Sequence, residues 1–100
     1  MGAVQTRTAN EAYSPSFPVN GRVTQVMTDP SNQKPMAVVN VGTNNQIREN
    51  MKLMIVRGGE FIANFKVTQV DMQWARGEID YLGRKVSVQQ GDTVQSSATR

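Results

Sequence analysis

The 100-residue chain contains no cysteine and no histidine. Without cysteine, neither a disulfide framework nor a thiolate metal site can form. Without histidine, the commonest general base and the commonest metal ligand are both missing. Hydrophobic residues are sparse, at 38% of the chain, below the usual globular share. The core must be small, or part of the chain unfolded. No window approaches the roughly 20 apolar residues of a membrane span. The start, Met1-Gly2-Ala3-Val4-Gln5-Thr6-Arg7, lacks the apolar stretch of a signal peptide. The chain as given therefore reads as soluble, and so abrupt a start also fits a piece of a longer protein.

Charge is only mildly biased, with 11 basic against 8 acidic residues and a net charge of +3. The cations are spread along the chain, whereas a nucleic-acid binder groups them on one face. Sequence alone leaves open whether folding does that grouping.

What is present is β-forming sequence. Residues 1–19 are polar, with prolines at 15 and 18. They read either as a flexible tail or linker, or as a strap packing Tyr13 and Phe17 onto the domain. Residues 20–96 form the domain, and 97–100 a short tail. Strands are expected at Gly21–Met27, Met36–Val41, Lys52–Arg57, Glu60–Val70, Met72–Tyr81 and Thr93–Gln95. Gly58-Gly59 supplies a tight hairpin. The irregular apolar spacing of 60–70 implies a bulge or bend. A helical turn is suggested only between Asn45 and Met51. The expected fold is all-β, a small closed or partly open barrel of five to six short strands. Its core would be Val23, Val26, Val39, Val41, Leu53, Ile55, Phe61, Phe65, Val67, Val70, Ile79 and Val94.

The chain also echoes itself. Arg22-Val-Thr-Gln-Val26 returns as Lys66-Val-Thr-Gln-Val70, and Ile47–Leu53 matches Val88–Val94 in pattern. Two pseudo-symmetric β-units sharing one core would explain both, with the loop at 29–35 absorbing the three-residue difference in offset. A strand sequence that happens to occur twice is the alternative. Under pseudo-symmetry Asn50 and Gly91 hold the same positive-φ position. The valines of each Val-Thr-Gln-Val lie three apart. A bulge at Thr24 or Gln25, and at Thr68 or Gln69, would turn both inward.

The string Gly21-x-Val23-x-x-Val26, Val38-Val39-Asn40-Val41-Gly42, Ile47-x-x-Asn50-Met51-x-Leu53-x-x-Val56, Arg57-Gly58-Gly59, Ile62, Val67-x-x-Val70 and Val88-x-x-Gly91-Asp92-x-Val94 resembles a known family. It is similar to the small β-barrel domain at the C-terminus of bacterial flagellar assembly protein T, and to related domains of bacterial envelope and coiled-coil proteins. The resemblance spans about residues 20–96. Asn50 departs from it, standing where glycine is usual. It implies a non-enzymatic module of a bacterial envelope or surface assembly, with no catalytic or ligand residues to carry over. The compartment is otherwise open.

Candidates for chemistry are few. Glu78 and Asp80 lie two apart on one strand face, but Arg76 shares that face and makes it a solvated surface. Asp92 follows a turn glycine and is placed to bond nearby amides. No catalytic pair, metal site or cofactor is expected. Candidates for partner binding are the Trp74–Arg76 pair, a combination common in hot spots, and the cations Lys52, Arg57, Arg84 and Lys85. The expected function is a non-catalytic structural or protein-interaction module, docking on a partner protein or on copies of itself. A nucleic-acid-binding small barrel is the alternative.

Overall fold

Valine and isoleucine are stiff at χ1 and pack well on a pleated surface. In the computed structural model, which describes residues 15, 17–83 and 86–96, the stretches rich in them are the strands. These are β1 (Asn20–Thr28), β2 (Pro35–Val39), β3 (Lys52–Arg57), β4 (Glu60–Val70), β5 (Ala75–Asp80) and β6 (Thr93–Ser96). They form a closed antiparallel barrel in the order β1-β2-β5-β4-β3-β6. Closure removes the hydrophobic sheet edge that a short open sheet would expose. No described helix is long and apolar enough to cross a membrane. Most of the 1–19 segment with Tyr13, the candidates Arg84 and Lys85, and the 97–100 tail lie outside the described residues.

The expected core is buried except for Val26, Phe61 and Val70. Val26 is 39% exposed although it stands opposite buried Ala37. Strand β6 pairs with β1 only as far as Arg22, so nothing in the sheet flanks the far side of Val26. Val70 is half-buried against the core. Phe61 is displaced by a bulge: Ile55 pairs with Ala63 and Val56 with Phe61, so the register skips Ile62, and Ile62 and Ala63 are both buried instead. Val19, Ile47, Met51 and Val88 complete the interior. They come from connections rather than strands, where alternation gives no signal.

The repeat is real in three dimensions. Both predicted bulges occur, with register shifts between Val23 and Gln25 and between Val67 and Gln69. At each, the threonine hydroxyl donates to the neighbouring strand: Thr24 to the Val38 carbonyl at 3.1 Å and Thr68 to the Arg76 carbonyl at 3.2 Å. Val23 and Val67 each exchange backbone bonds with the same kind of turn. Gly91 donates to the Val23 carbonyl and Val23 to that of Asp92; Asn50 donates to Val67 and Val67 to Met51. Asn50 and Gly91 have φ of 70° and 98°, as the shared position requires. Laid on this frame, the repeat extends to Phe17/Phe61 and Asn20/Asn64. The offsets are absorbed in two places. The Asp29–Lys34 hairpin is longer than its counterpart Asp71–Trp74, and the stretch after β5 takes part of that difference back.

Three expected boundaries move by more than one residue, the first being β2, which ends at Val39 and not at Val41. β5 begins at Ala75, because Asp71 donates its backbone N–H to the Trp74 carbonyl at 2.8 Å and closes a turn there. The helical turn falls at Thr43–Asn45, where Ile47 donates back to the Gly42 carbonyl.

Candidate binding groove

The interior of the barrel is aliphatic apart from Phe65. The one buried polar side chain among the described residues is Asp92, 5% exposed. Arg57 holds it with a two-pronged ion pair, Nε to Oδ1 at 2.8 Å and Nη2 to Oδ2 at 2.9 Å, while Nη2 also reaches the Ser87 carbonyl at 2.7 Å. The Gln89 backbone donates to Asp92 at 2.8 Å. Hydrogen bonding from Arg57, opposed by burial and helped by the Gln89 amide, holds the Asp92 carboxyl below its ordinary range. This pair ties the end of β3 to the turn before β6.

Alternation turns Leu53, Phe65 and Gly77 inward, so Lys52, Lys66 and Glu78 stand outward. They form one cross-strand row, with Lys52 opposite Lys66 and Lys66 opposite Glu78. All three are half-buried. Like charges directly opposite one another on a sheet repel. Among the described residues neither lysine has an ion-pair partner, since the one such bridge is Arg57–Asp92. The row forms one side of a groove of about 720 Å³; Lys34 and Pro35 from the hairpin after β1, and Asp80, Tyr81 and Leu82 after β5, also line it. Tyr81 packs on the core and accepts a bond from the Val88 amide at 3.1 Å. Leu82 is 58% exposed and has a φ of 53°, a left-handed backbone that costs a leucine about 1 kcal/mol.

The groove exists because the two halves of the barrel end differently. In the first half, Thr43 and Asn44 donate backbone N–H groups to the Asp71 and Met72 carbonyls at 2.8 and 3.0 Å. Gly42 permits this approach, since a Cβ there would lie 2.2 Å from the Asp71 carbonyl oxygen. The counterpart of Gly42 in the second half is Asp80, whose side chain forbids the same contact. Asp80 instead accepts from the Leu82 amide at 2.9 Å. Among the described residues no backbone bond joins this loop to the Asp29–Lys34 hairpin, and a groove lies between them. The matching place in the first half is a notch of about 320 Å³ lined by Asn20, Val41 and Asn44 and narrowed by Phe17 and Pro18.

Of the binding candidates from the sequence that fall among the described residues, Lys52 lines this groove, and so do the carboxylates Glu78 and Asp80. Arg57 is occupied by Asp92. Arg76 bonds Gln69 through Nη2, leaving its buried Nε without a partner. Trp74 is 36% exposed and belongs to the turn before β5, so strand alternation does not pair it with Arg76. The sequence reading missed Lys34, Lys66 and Leu82. Lys66 was visible only as one end of the repeat, and Lys34 as loop composition. No group of metal-ligating side chains occurs among the described residues. No protein family matches the chain, and searches of curated proteins and of solved structures each return no match.

Proposed function

We propose that this barrel is a non-catalytic module that binds a partner protein through the groove between Lys34–Pro35 and Asp80–Leu82. The observation that supports this reading is the broken pseudo-symmetry. One end of a twofold-repeated barrel is closed by backbone hydrogen bonds, and among the described residues the other has a groove in place of such bonds. The open end carries half-buried lysines and an exposed leucine. Catalysis is disfavoured because three of the described carboxylates have structural duties. Asp92 holds Arg57, Asp80 holds the Leu82 turn, and Asp29 bonds the Ser31 amide and hydroxyl. Glu78 stands opposite Lys66.

The lysines also suit a single-stranded nucleic acid. Base stacking, however, needs an exposed aromatic face near the phosphate path, and the Tyr81 that lines the groove packs on the core with its hydroxyl bonded to the Val88 amide. Trp74 lies beyond the opposite end of β5, four residues before Glu78, about 13 Å along an extended strand. The resemblance described above implies a bacterial envelope or surface assembly as the setting.

Peptides selected on the intact chain from a random displayed library, followed by amide chemical-shift mapping, test this reading. Shifts are expected at Lys34 and at residues 64–66 and 78–82. Selected peptides that map elsewhere, or oligothymidine binding that falls steeply with salt, would reject it.

A further inference from the structure

The interaction reading leaves the chemistry of the partner open, and the following rests on that reading. We infer that the groove takes an extended acidic peptide that alternates carboxylates with apolar side chains.

The positive wall is specific to the open half. Lys52 and Lys66 correspond to Thr93 and Arg22 across the pseudo-twofold, and Arg22 is already spent on the Gly91 carbonyl at 3.2 Å. Lys52 and Lys66 oppose each other about 5 Å apart at Cβ, half-buried, and among the described residues neither forms an ion pair. Lys34 adds a third cation to the same groove. Glu78 and Asp80 offset part of this charge. Asp80, however, is engaged by the Leu82 amide, and Glu78 lies on the far side of Lys66 from Lys52. Lys52 stands opposite Lys66 rather than opposite a carboxylate, so an external carboxylate relieves the repulsion that Glu78 leaves on that side.

The remaining wall is apolar. Leu82 is held in solvent on a backbone conformation that leucine disfavours, and Pro35 faces the same space. Strain of this kind persists where the surroundings demand it. In an extended peptide, successive side chains point to opposite sides and alternate ones lie about 7 Å apart. Two carboxylates so spaced reach two flexible ammonium groups, while the intervening apolar residues turn toward Leu82 and Pro35.

The test is fluorescence anisotropy of the full chain with four labelled probes: an octapeptide alternating Glu and Leu, one alternating Lys and Leu, one alternating Glu and Ser, and an eight-residue oligothymidine. The Glu-Leu peptide is expected to bind at least tenfold more tightly than the other three. Lys52→Glu/Lys66→Glu is expected to weaken it at least tenfold, with a far-ultraviolet spectrum matching the wild type as the check on folding. Lys66→Gln weakens it less. Arg22→Glu, at the pseudo-symmetric position, leaves it unchanged. Equal binding of the Lys-Leu peptide at the groove amides overturns the acidic occupant while leaving the interaction module standing. Preference for oligothymidine, abolished by the same double variant, overturns both and assigns the groove to nucleic acid. Absence of groove shifts with every probe also overturns both.

Discussion

Asp92 is a carboxylate removed from water and compensated by one guanidinium and one amide. Its folded-state pKa is depressed, so the ionised form is favoured by folding. The stability it contributes is complete above the unfolded aspartate value. It is lost as pH falls through that value and then through the lower folded one. Asp92→Asn is expected to cost about 1–3 kcal/mol at neutral pH. The gap from wild type should close below about pH 4, read from urea midpoints across pH. Gly77 shows a different constraint. A Cβ there would lie 2.2 Å from the Lys66 carbonyl oxygen and 2.9 Å from the Phe65 ring. Gly77→Ala is expected to lose about 1–3 kcal/mol by overpacking. Gly58-Gly59 was legible as a hairpin from the dipeptide alone. The need for glycine at 77 was not, because it depends on a carbonyl eleven positions away in sequence.

At the scale of elements, the bulges at Thr24 and Thr68 are the devices that bend the two long strands. A three-residue valine spacing cannot keep both side chains inward on a regular strand, and that conflict made the bulges readable. The same reasoning overreached at Val26, because burial also needs a flanking strand and β6 stops short. Thr24→Val and Thr68→Val each remove one hydroxyl-to-carbonyl bond. Each is expected to cost about 1 kcal/mol, nearly additively, in chemical denaturation. The Leu82 turn should behave oppositely. Asparagine tolerates a left-handed backbone better, so Leu82→Asn is expected to hold or raise the melting temperature while weakening Glu-Leu peptide binding several-fold. A loss of stability without a loss of binding would count against the groove assignment.

For the whole molecule, neither half owns its core. The repeat units are β1–β3 and β4–β6, and the β2–β5, β3–β6, β1–β6 and β3–β4 ladders all run between them, so separating the halves breaks four ladders at once. Unfolding is expected to be a single cooperative step. Trp74 belongs to the turn that the Thr43–Asn44 loop docks against, so its fluorescence reports on the junction between halves. Its denaturation curve should coincide with that of far-ultraviolet circular dichroism. Two separated transitions would show that the repeat units fold independently.

Composition and the pattern along the chain determined a single small β-barrel, its principal strands, its glycine hairpin and its internal repeat. These are consequences of local propensity, alternation and turn chemistry, which adjacent residues express by themselves. The tertiary structure decided which residues form a surface. Lys34, Lys52, Lys66 and Leu82 are scattered across four segments and meet only through cross-strand register and a hairpin lengthened in one half alone. It also decided that one end closes and the other stays open, because that turns on whether a loop residue has a side chain where a distant carbonyl must approach.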